Sequence, residues 1–433
     1  MNRGTENGVS NVRVWREVLG VESAVIERVE FDEDEQVLVV RVRPGRRARG
    51  RCGVCLRRRR WYDRGRGRRR WRHLDAGLLQ VWLEADAPRV FCPQHGAVVA
   101  HVPWARHDAG HTRAFDDTAA WLATAAAKST VCELLRIAWR TVGSIVSRVA
   151  GEAMATRDRF AGLRRLGIDE ISVKRGHRYL TVVVDHDTRR LVWAAPGRDK
   201  ATLNKFFDAL GAERCAQITH VTADAADWIA AVVAARCPNA VRCADPFHLV
   251  QWATEALDEV RRQVWNDARR SGDKTTAKNL KNARYALWKN EADLTQTQQI
   301  KLAWIAAAHK PLHRAWELKE AFRKVIHIKG AHGSHLLDDW LSWASRSKLT
   351  PFVELARKIR KHRSAIENML EHDLSNALVE STNTKLRLIM RVAFGFKDTD
   401  ALIGLAMLSL GGYRPDLPGR TPTGRMTTSR AAA

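Results

Sequence analysis

Residues 376–397 read NALVESTNTKLRLIMRVAFGFK. The spacing predicts one helix with a single acid, Glu380, at its start. Asn383, Lys385 and Arg387 follow at helical spacing, and an aromatic-glycine segment, Phe394-Gly395-Phe396, comes after them. A carboxylate with cations one or two turns further on suits a site that binds a metal ion and a phosphate backbone together. Most glutamates on helices are only solvated, so the segment takes its meaning from acids far upstream that sit where such a site needs them.

Outward from this helix, the chain of 433 residues is long enough for roughly two or three domains with cores of their own. Its 73 Lys and Arg against 48 Asp and Glu give a net charge of +25. That excess calls for a polyanionic partner, nucleic acid first. The charge is also concentrated: Arg41 to Arg72 hold 16 arginines and one acid, Asp63. Seven cysteines make no disulfide framework, and two pairs have metal-ligand spacing, which suits a reducing cytosol. The opening residues MNRGTENGVS lack the apolar region of a signal peptide. The longest apolar stretch, near Ala225–Ala235, is too short to span a bilayer. A cytoplasmic protein with no membrane partner is expected.

Residues 23–31 and 36–43 alternate apolar and polar around the acidic turn Asp32–Glu35, the pattern of a β-hairpin. The arginine-rich stretch follows, then a second alternating run, Leu79–Phe91. Cys52-Gly-Val-Cys55 and Cys92-Pro-Gln-His95 bracket this region as a CxxC…CxxH set. Two ligand pairs on separate knuckles are what tetrahedral Zn²⁺ needs, and with all four positions filled by protein the metal is structural. Trp61, Tyr62 and Trp71 interleave with the arginines, which suits backbone contact and stacking. Helical patterns then follow at Asp116–Lys128, Thr130–Ile137 and Trp139–Val149. Short helix, turn and helix, with Arg140, Thr141, Ser144 and Arg148 on one face, is helix-turn-helix patterning.

Leu163–Glu170, Arg178–Asp185 and Arg190–Ala195 read as an antiparallel meander. Helices at Lys200–Leu210 and Ala225–Arg236 alternate with strands at Ile218–Thr222 and Ala240–Ala244, so the sheet is mixed α/β. Residues 249–374 show only long amphipathic helices, near 295–309, 311–327, 335–346 and 351–371. The seven tryptophans from Trp252 to Trp343 are expected to pack between them. From Tyr413 the tail is rich in Pro, Gly, Thr and Arg and reads as disordered.

Asp169 lies in the first strand of the meander, Asp224 just past the next inner strand, and Glu380 on the helix quoted above. Three carboxylates without thiol or imidazole favour a hard cation, chiefly Mg²⁺. Two such ions would serve phosphodiester chemistry without a covalent nucleophile. Asp185 or Asp187 could be the sheet acids instead, and Glu170 and Asp227 are near neighbours. Asp245 and His248, where strands give way to helices, could orient the site or cap the next helix.

Read together, these segments resemble the ISL-three-type bacterial insertion-sequence transposases, of the DDE class with a ribonuclease H-like catalytic fold. The likeness runs in order over nearly the whole chain: CPQHG, VPWARHDAGHT, LGIDEISVKRGHRYLTVVVD, VTADAADWIAAVV, ADPFHLVQWATEALDEVRR and LVESTNTKLRLIMRVAFGFKD. It implies that Asp169, Asp224 and Glu380 stand at the catalytic positions. It also implies that Asp245-x-x-His248 precedes an all-helical insertion, which accounts for 249–374. The family's fourth zinc ligand is often Cys and is His95 here; the glycine that usually follows its glutamate is Ser381.

The expectation is a multidomain α+β chain. A zinc ribbon spans 1–110, a helix-turn-helix 111–155, and a ribonuclease H-like domain 160–248 with 376–412. A helical insertion spans 249–375, and 413–433 is a tail. The chain would bind the terminal inverted repeats of its element in double-stranded DNA, with Arg140 and Arg148 in the groove. Lys385 and Arg387 would hold phosphates near Glu380. With Mg²⁺ or Mn²⁺ it would nick the ends and transfer the strand, as a homodimer or larger assembly. A transposase-derived protein that only binds DNA, or a metal-dependent nuclease that never joins strands, are the other two readings.

Overall fold

The computed structural model describes residues 8–21, 23–174, 178–224, 226–372, 374–393 and 398–420. Phe394 to Lys397, and the tail beyond residue 420, lie outside the described residues. The chain divides into two units, Met1–Asp158 with Ile389–Ala433, and Arg159–Leu388.

In the first unit α1 (Gly8–Leu19) precedes the hairpin of β1 (Ala24–Asp32) and β2 (Val37–Pro44). The expected acidic turn closes it: the Glu35 amide donates to the Asp32 carboxylate at 3.1 Å. The arginine-rich stretch supplies β3 (Arg60–Asp63) and β4 (Arg68–Arg72), and the second alternating run splits into β5 (Gln80–Asp86) and β6 (Arg89–Cys92), followed by β7 (Gly96–Val99). They form two sheets, β1-β2-β5-β4 and β3-β6-β7. Trp71 is 1 % exposed and packs edge-on against Trp104 at 5.6 Å, so it is core and not a stacking surface. Trp61 and Tyr62 remain exposed.

The helical part comprises α2 (Arg113–Ala123), α3 (Lys128–Leu135) and α4 (Trp139–Thr156). Thr112 caps α2, and Arg136 turns α3 off with a left-handed φ of 53°. Asp116, at 0 % exposure, lies inside α2 and is bound at 3.0 Å by Arg148 of α4. Arg148, its side chain 26 % exposed, is therefore committed to an ion pair, because a buried carboxylate needs a cation. Arg140 stays exposed.

The second unit starts with the meander β8 (Arg165–Lys174), β9 (Arg178–Asp185) and β10 (Arg190–Pro196). After α5 (Lys200–Leu210) and the short α6 (Ala212–Cys215) come β11 (His220–Ala223), α7 (Asp227–Arg236) and β12 (Val241–Ala244). The sheet order is β10-β9-β8-β11-β12, with β11 parallel to both β8 and β12. One face is apolar: Leu166, Ile168 and Val183 pack with Leu203, Phe206 and Phe207 of α5 and Val232 and Val233 of α7.

Helices fill the chain from Asp245 to His372: α8 (Pro246–Arg270), α9 (Lys274–Lys281), α10 (Arg284–Trp288), α11 (Gln296–Ala308), α12 (Lys310–Val325), α13 (Gly330–Arg346), α14 (Thr350–Lys361) and α15 (Arg363–His372). The helix expected over 351–371 is two, parted at His362. Leu257, Leu318, Phe322, Phe352 and Met369 centre their core. Trp316 and Trp340 are buried as expected, whereas Trp288 and Trp343 are 43 % and 39 % exposed. Lys319, 1 % exposed, donates to the Leu287 and Lys289 carbonyls at 3.0 Å each and so closes the end of α10.

The chain goes on through α16 (Ala377–Val392) to α17 (Thr399–Leu410), which packs on α4 in the first unit. The segment 376–412 is therefore shared between the units. Tyr413 is 7 % exposed and Arg414 lies 4.1 Å over the Trp121 ring, so the first tail residues are packed.

Candidate active site

Parallel pairing sets β8, β11 and β12 in one register. Ala223 stands opposite Ile168 on one side and Ala244 on the other. The next residue of the chain after each is an aspartate: Asp169 within β8, and Asp224 and Asp245 just past β11 and β12. Three adjacent strands thus deliver three carboxylates in one row. Alternation along β8 sends Ile168 into the apolar layer and leaves Gly167 and Asp169 on the opposite face. There α16 lies.

The docking of α16 depends on a bare backbone and a buried amide. A Cβ on Gly167 would meet Val379 Cγ2 at 2.4 Å, so only glycine lets the helix approach. Asn376, 0 % exposed, donates to the Ile168 carbonyl at 3.3 Å and accepts from the Thr222 hydroxyl at 2.8 Å. His186 Nε2 reaches the same hydroxyl at 2.8 Å. The Asn376 carbonyl receives the Glu380 amide at 3.0 Å. The first turn of α16 is thereby tied to the strands bearing Asp169 and Asp224. Asn383, one turn on, donates from Nδ2 to Asp169 Oδ2 at 2.7 Å, while the Glu170 amide donates to Oδ1 at 2.7 Å.

Asp245 is 2 % exposed and caps α8. It accepts from His248 Nδ1 at 2.7 Å, and His248 Nε2 lies 3.8 Å from Asp224. The bond to Asp245, with the charges of Asp224 and Asp169, pushes the imidazole pKa up to about 9. His248 is therefore an imidazolium at neutral pH, bridging two acids of the row. Burial raises the carboxyl pKa of Asp169, and the nearby Asp245 and Asp224 add to it; burial likewise raises Glu380, with help from Asp245 and Asp169. The alternative acids are otherwise engaged. Asp185 accepts from the amides of Asp187 and Thr188, Asp187 pairs with Arg165, Asp227 with Lys361, and Glu170 with Arg198.

The donor chemistry here suits divalent cations, and among the described residues no three of these acid and imidazole ligand atoms lie within 4.8 Å of one another. The available donors are oxygens, the set that hard ions take. Glu380 Oε1 and Asn383 Oδ1 are buried acceptors without a hydrogen-bond partner among the described residues. A cation would satisfy such atoms and relieve the crowding of like charge. Lys385 and Arg387 are exposed on α16.

The ribbon is a different kind of site. Among the described residues, Cys52, Cys55, Cys92 and His95 are the one group of three or more such ligands whose atoms all lie within 4.8 Å of one another. Separations are 3.8 Å for Cys55–Cys92, 3.7 Å for Cys52–His95 and 3.4 Å for Cys92–His95. Tetrahedral Zn²⁺ with ordinary bond lengths requires edges of about 3.5–3.8 Å. This is a structural zinc site. Arg59, which the spacing did not single out, lies against the Cys92 and Cys55 thiols, which raise its guanidinium pKa.

The described residues contain no helix long and apolar enough to cross a membrane. Asn376, Asn383 and Gly167 are the further site residues. Asn383 carried a sequence signal, its place one turn after Glu380; Asn376 and Gly167 carried none outside the fold.

Comparison with known proteins shows the family. A family profile described as transposase matches residues 166–405. One described as the helix-turn-helix domain of transposase family ISL3 matches 100–150. A third, the zinc-finger of transposase IS204/IS1001/IS1096/IS1165, matches 48–95. The transposase for insertion sequence element IS1557, from two strains of Mycobacterium tuberculosis, is 59 % identical over 434 residues, covering 95 % of this chain and 98 % of the relative. The transposase for insertion sequence element IS1001 of Bordetella parapertussis is 25 % identical over 379 residues, covering 87 % and 92 %. DDE transposases work with divalent metal ions, and the acid row with Glu380 offers this chain a place for them. With a zinc ribbon, a DNA-binding helix-turn-helix and a DDE transposase domain along its length, the chain belongs to the ISL3 family of transposases.

Proposed function

We propose that Arg159–Leu388 is a ribonuclease H-like catalytic unit interrupted by a helical insertion over 249–375, and that Asp169, Asp224 and Glu380 hold two Mg²⁺ or Mn²⁺ ions. The observation that carries this is the row Asp169, within β8, and Asp224 and Asp245, just past the neighbouring β11 and β12, with Glu380 on α16. The sheet order β10-β9-β8-β11-β12 supports the fold. Bound ions would polarise the scissile phosphodiester and activate the attacking oxygen, first of water and then of the freed 3′-hydroxyl.

The chain's own residues do the rest. Asn376 and Gly167 seat Glu380 over the sheet. Asp245 holds the His248 ring, whose cation balances Asp224 and can meet the charge of an incoming phosphate. Exposed Lys385 and Arg387 would hold the flanking backbone. In the first unit the zinc ribbon and helix-turn-helix would read the terminal inverted repeats of the element, with Arg140 at the start of α4 as the groove contact. Two ends must be joined in one complex, so a homodimer or larger assembly is expected. We place the chain in the cytoplasm, with the DNA on which it acts.

The test is Mg²⁺-dependent cleavage and joining of supercoiled DNA carrying the element's own ends. Asp169→Ala, Asp224→Ala and Glu380→Ala should each lose activity by more than a hundredfold, with end binding kept. Asp245→Ala should retain part. Loss at Asp245 with survival at Asp224 would move the ligand to Asp245. Tight end binding by wild type without cleavage would leave a DNA-binding protein, and cleavage without strand transfer would leave a nuclease.

A further inference from the structure

Asn383 is an amide bonded directly to the acid cluster, and its two ends are treated differently. Its side chain is nearly inaccessible, at 2 % exposure. Nδ2 donates to Asp169 Oδ2 at 2.7 Å. Oδ1 is buried and has no donor among the described residues. An unsatisfied buried acceptor is costly, and one turn of α16 carries two of them, Oδ1 here and Glu380 Oε1. Three residues apart on a helix, Glu380 and Asn383 present these oxygens from the same face. Asp169, which Asn383 grips, is the third oxygen donor of that face.

The geometry points to Asn383 as a further group of the divalent-cation site, its amide nitrogen fixing Asp169 and its carbonyl oxygen completing the ion's shell beside Glu380. This rests on the reading of Asp169 and Glu380 as cation ligands. An amide oxygen is a hard neutral ligand of the kind Mg²⁺, Mn²⁺ and Ca²⁺ accept. It adds no charge to a cluster that is already crowded with carboxylates. A donor bond that orients a ligating carboxylate also fixes which lone pairs the ion meets.

The experiment measures Mn²⁺ binding to the full zinc-loaded chain, by calorimetry or electron paramagnetic resonance. Wild type is compared with Asn383→Ala, Asn383→Leu, Asn383→Asp and, as the control on the site, Glu380→Gln. Alanine is the best helix former and leucine keeps the volume, so one or both should fold; the melting temperature without Mn²⁺ and the zinc content check this. Expected for Asn383→Ala and Asn383→Leu is Mn²⁺ affinity lower by about 10–100-fold, with zinc content unchanged and cleavage recovered at high Mn²⁺. Asn383→Asp, which keeps an oxygen at the position but loses the donor to Asp169, should bind Mn²⁺ more tightly than Asn383→Ala. Wild-type affinity in the alanine and leucine variants, with Glu380→Gln impaired, would overturn the role of Asn383 and leave the site standing. A loss in Asn383→Asp as large as in Asn383→Ala would assign only the donor bond and overturn the carbonyl's part. If Glu380→Gln also binds as wild type, the reading of the site itself fails.

Discussion

His73 shows what a single buried titratable group does here. At 5 % exposure it bonds the Leu19 carbonyl through Nε2 at 3.0 Å and the Thr112 hydroxyl through Nδ1 at 2.8 Å. A carbonyl only accepts, so Nε2 carries the proton and Nδ1 accepts from Thr112, the cap of α2. Burial pushes its pKa down to about 4. The unfolded chain protonates near 6.5 and the folded one near 4, so the unfolded state binds more protons in between. Stability is full above the unfolded pKa and is lost as pH falls towards the folded one. From pH 7 to 5 the loss from this group is about 2 kcal/mol. His73→Gln should lower stability at pH 7 and flatten that slope in urea unfolding; an unchanged slope would remove His73 as its source. Arg148 and Arg140 make a second pair of cases. Arg148→Ala strips a charged bond from buried Asp116 and should cost about 1.5–3 kcal/mol. Arg140→Ala should leave stability within about 0.5 kcal/mol but weaken end binding in a mobility-shift titration. The sequence put both arginines on one face, because Asp116, the partner that claims Arg148, lies a helix away and its burial is a tertiary fact.

At the scale of elements, α16 is held by what β8 lacks. The 2.4 Å clash that a Cβ at Gly167 would make with Val379 sits one residue before Glu380. Gly167→Ala should therefore displace the first turn of the helix, costing about 1–3 kcal/mol, and lower the cleavage rate more than it lowers DNA binding. Equal loss of both would mean a general folding defect. Much of this layout was legible: the meander, the alternating helices and strands after it, the helical stretch and the acid-bearing helix all follow local periodicity. Ile168-Asp169, Ala223-Asp224 and Ala244-Asp245 were also in plain view. Their alignment was not, because register between parallel strands is set by packing across intervening helices. Asn376 went unread for the same reason: a buried asparagine before a helix looks like any cap until Ile168 and Thr222 are known to lie beneath it. His362, which parts α14 from α15, follows a basic run that continues the helical pattern, so periodicity alone ran through it.

For the molecule as a whole, charge and zinc divide the labour within the first unit. Not every arginine in the basic stretch is free for DNA: Arg68 and Arg70 pair with Glu84, Arg70 also with Glu35, and Arg72 with Asp75. Exposed Arg46, Arg47, Arg57, Arg58, Arg64 and Arg66 lie in or beside the turns that flank β3 and the Cys52–Cys55 knuckle. Holding those turns in place falls to the metal, because the local core is only Cys52, Val90 and Cys92, with Cys55, Val98 and Ala100 packed against it. A core of that size does not fold a three-stranded sheet alone. Zinc removal should thus open the ribbon while the larger core around Leu38, Val40, Trp71 and Leu83 persists. Treated with a strong chelator, the protein should be cut by trypsin within residues 51–66 or 88–99 well before the chain around Asp169 and Glu380. Its affinity for end DNA should fall together with the salt dependence that the freed arginines no longer supply in concert. Protease resistance of 51–66 and 88–99 after complete loss of zinc would show that the strands, and not the metal, hold the arginines in place.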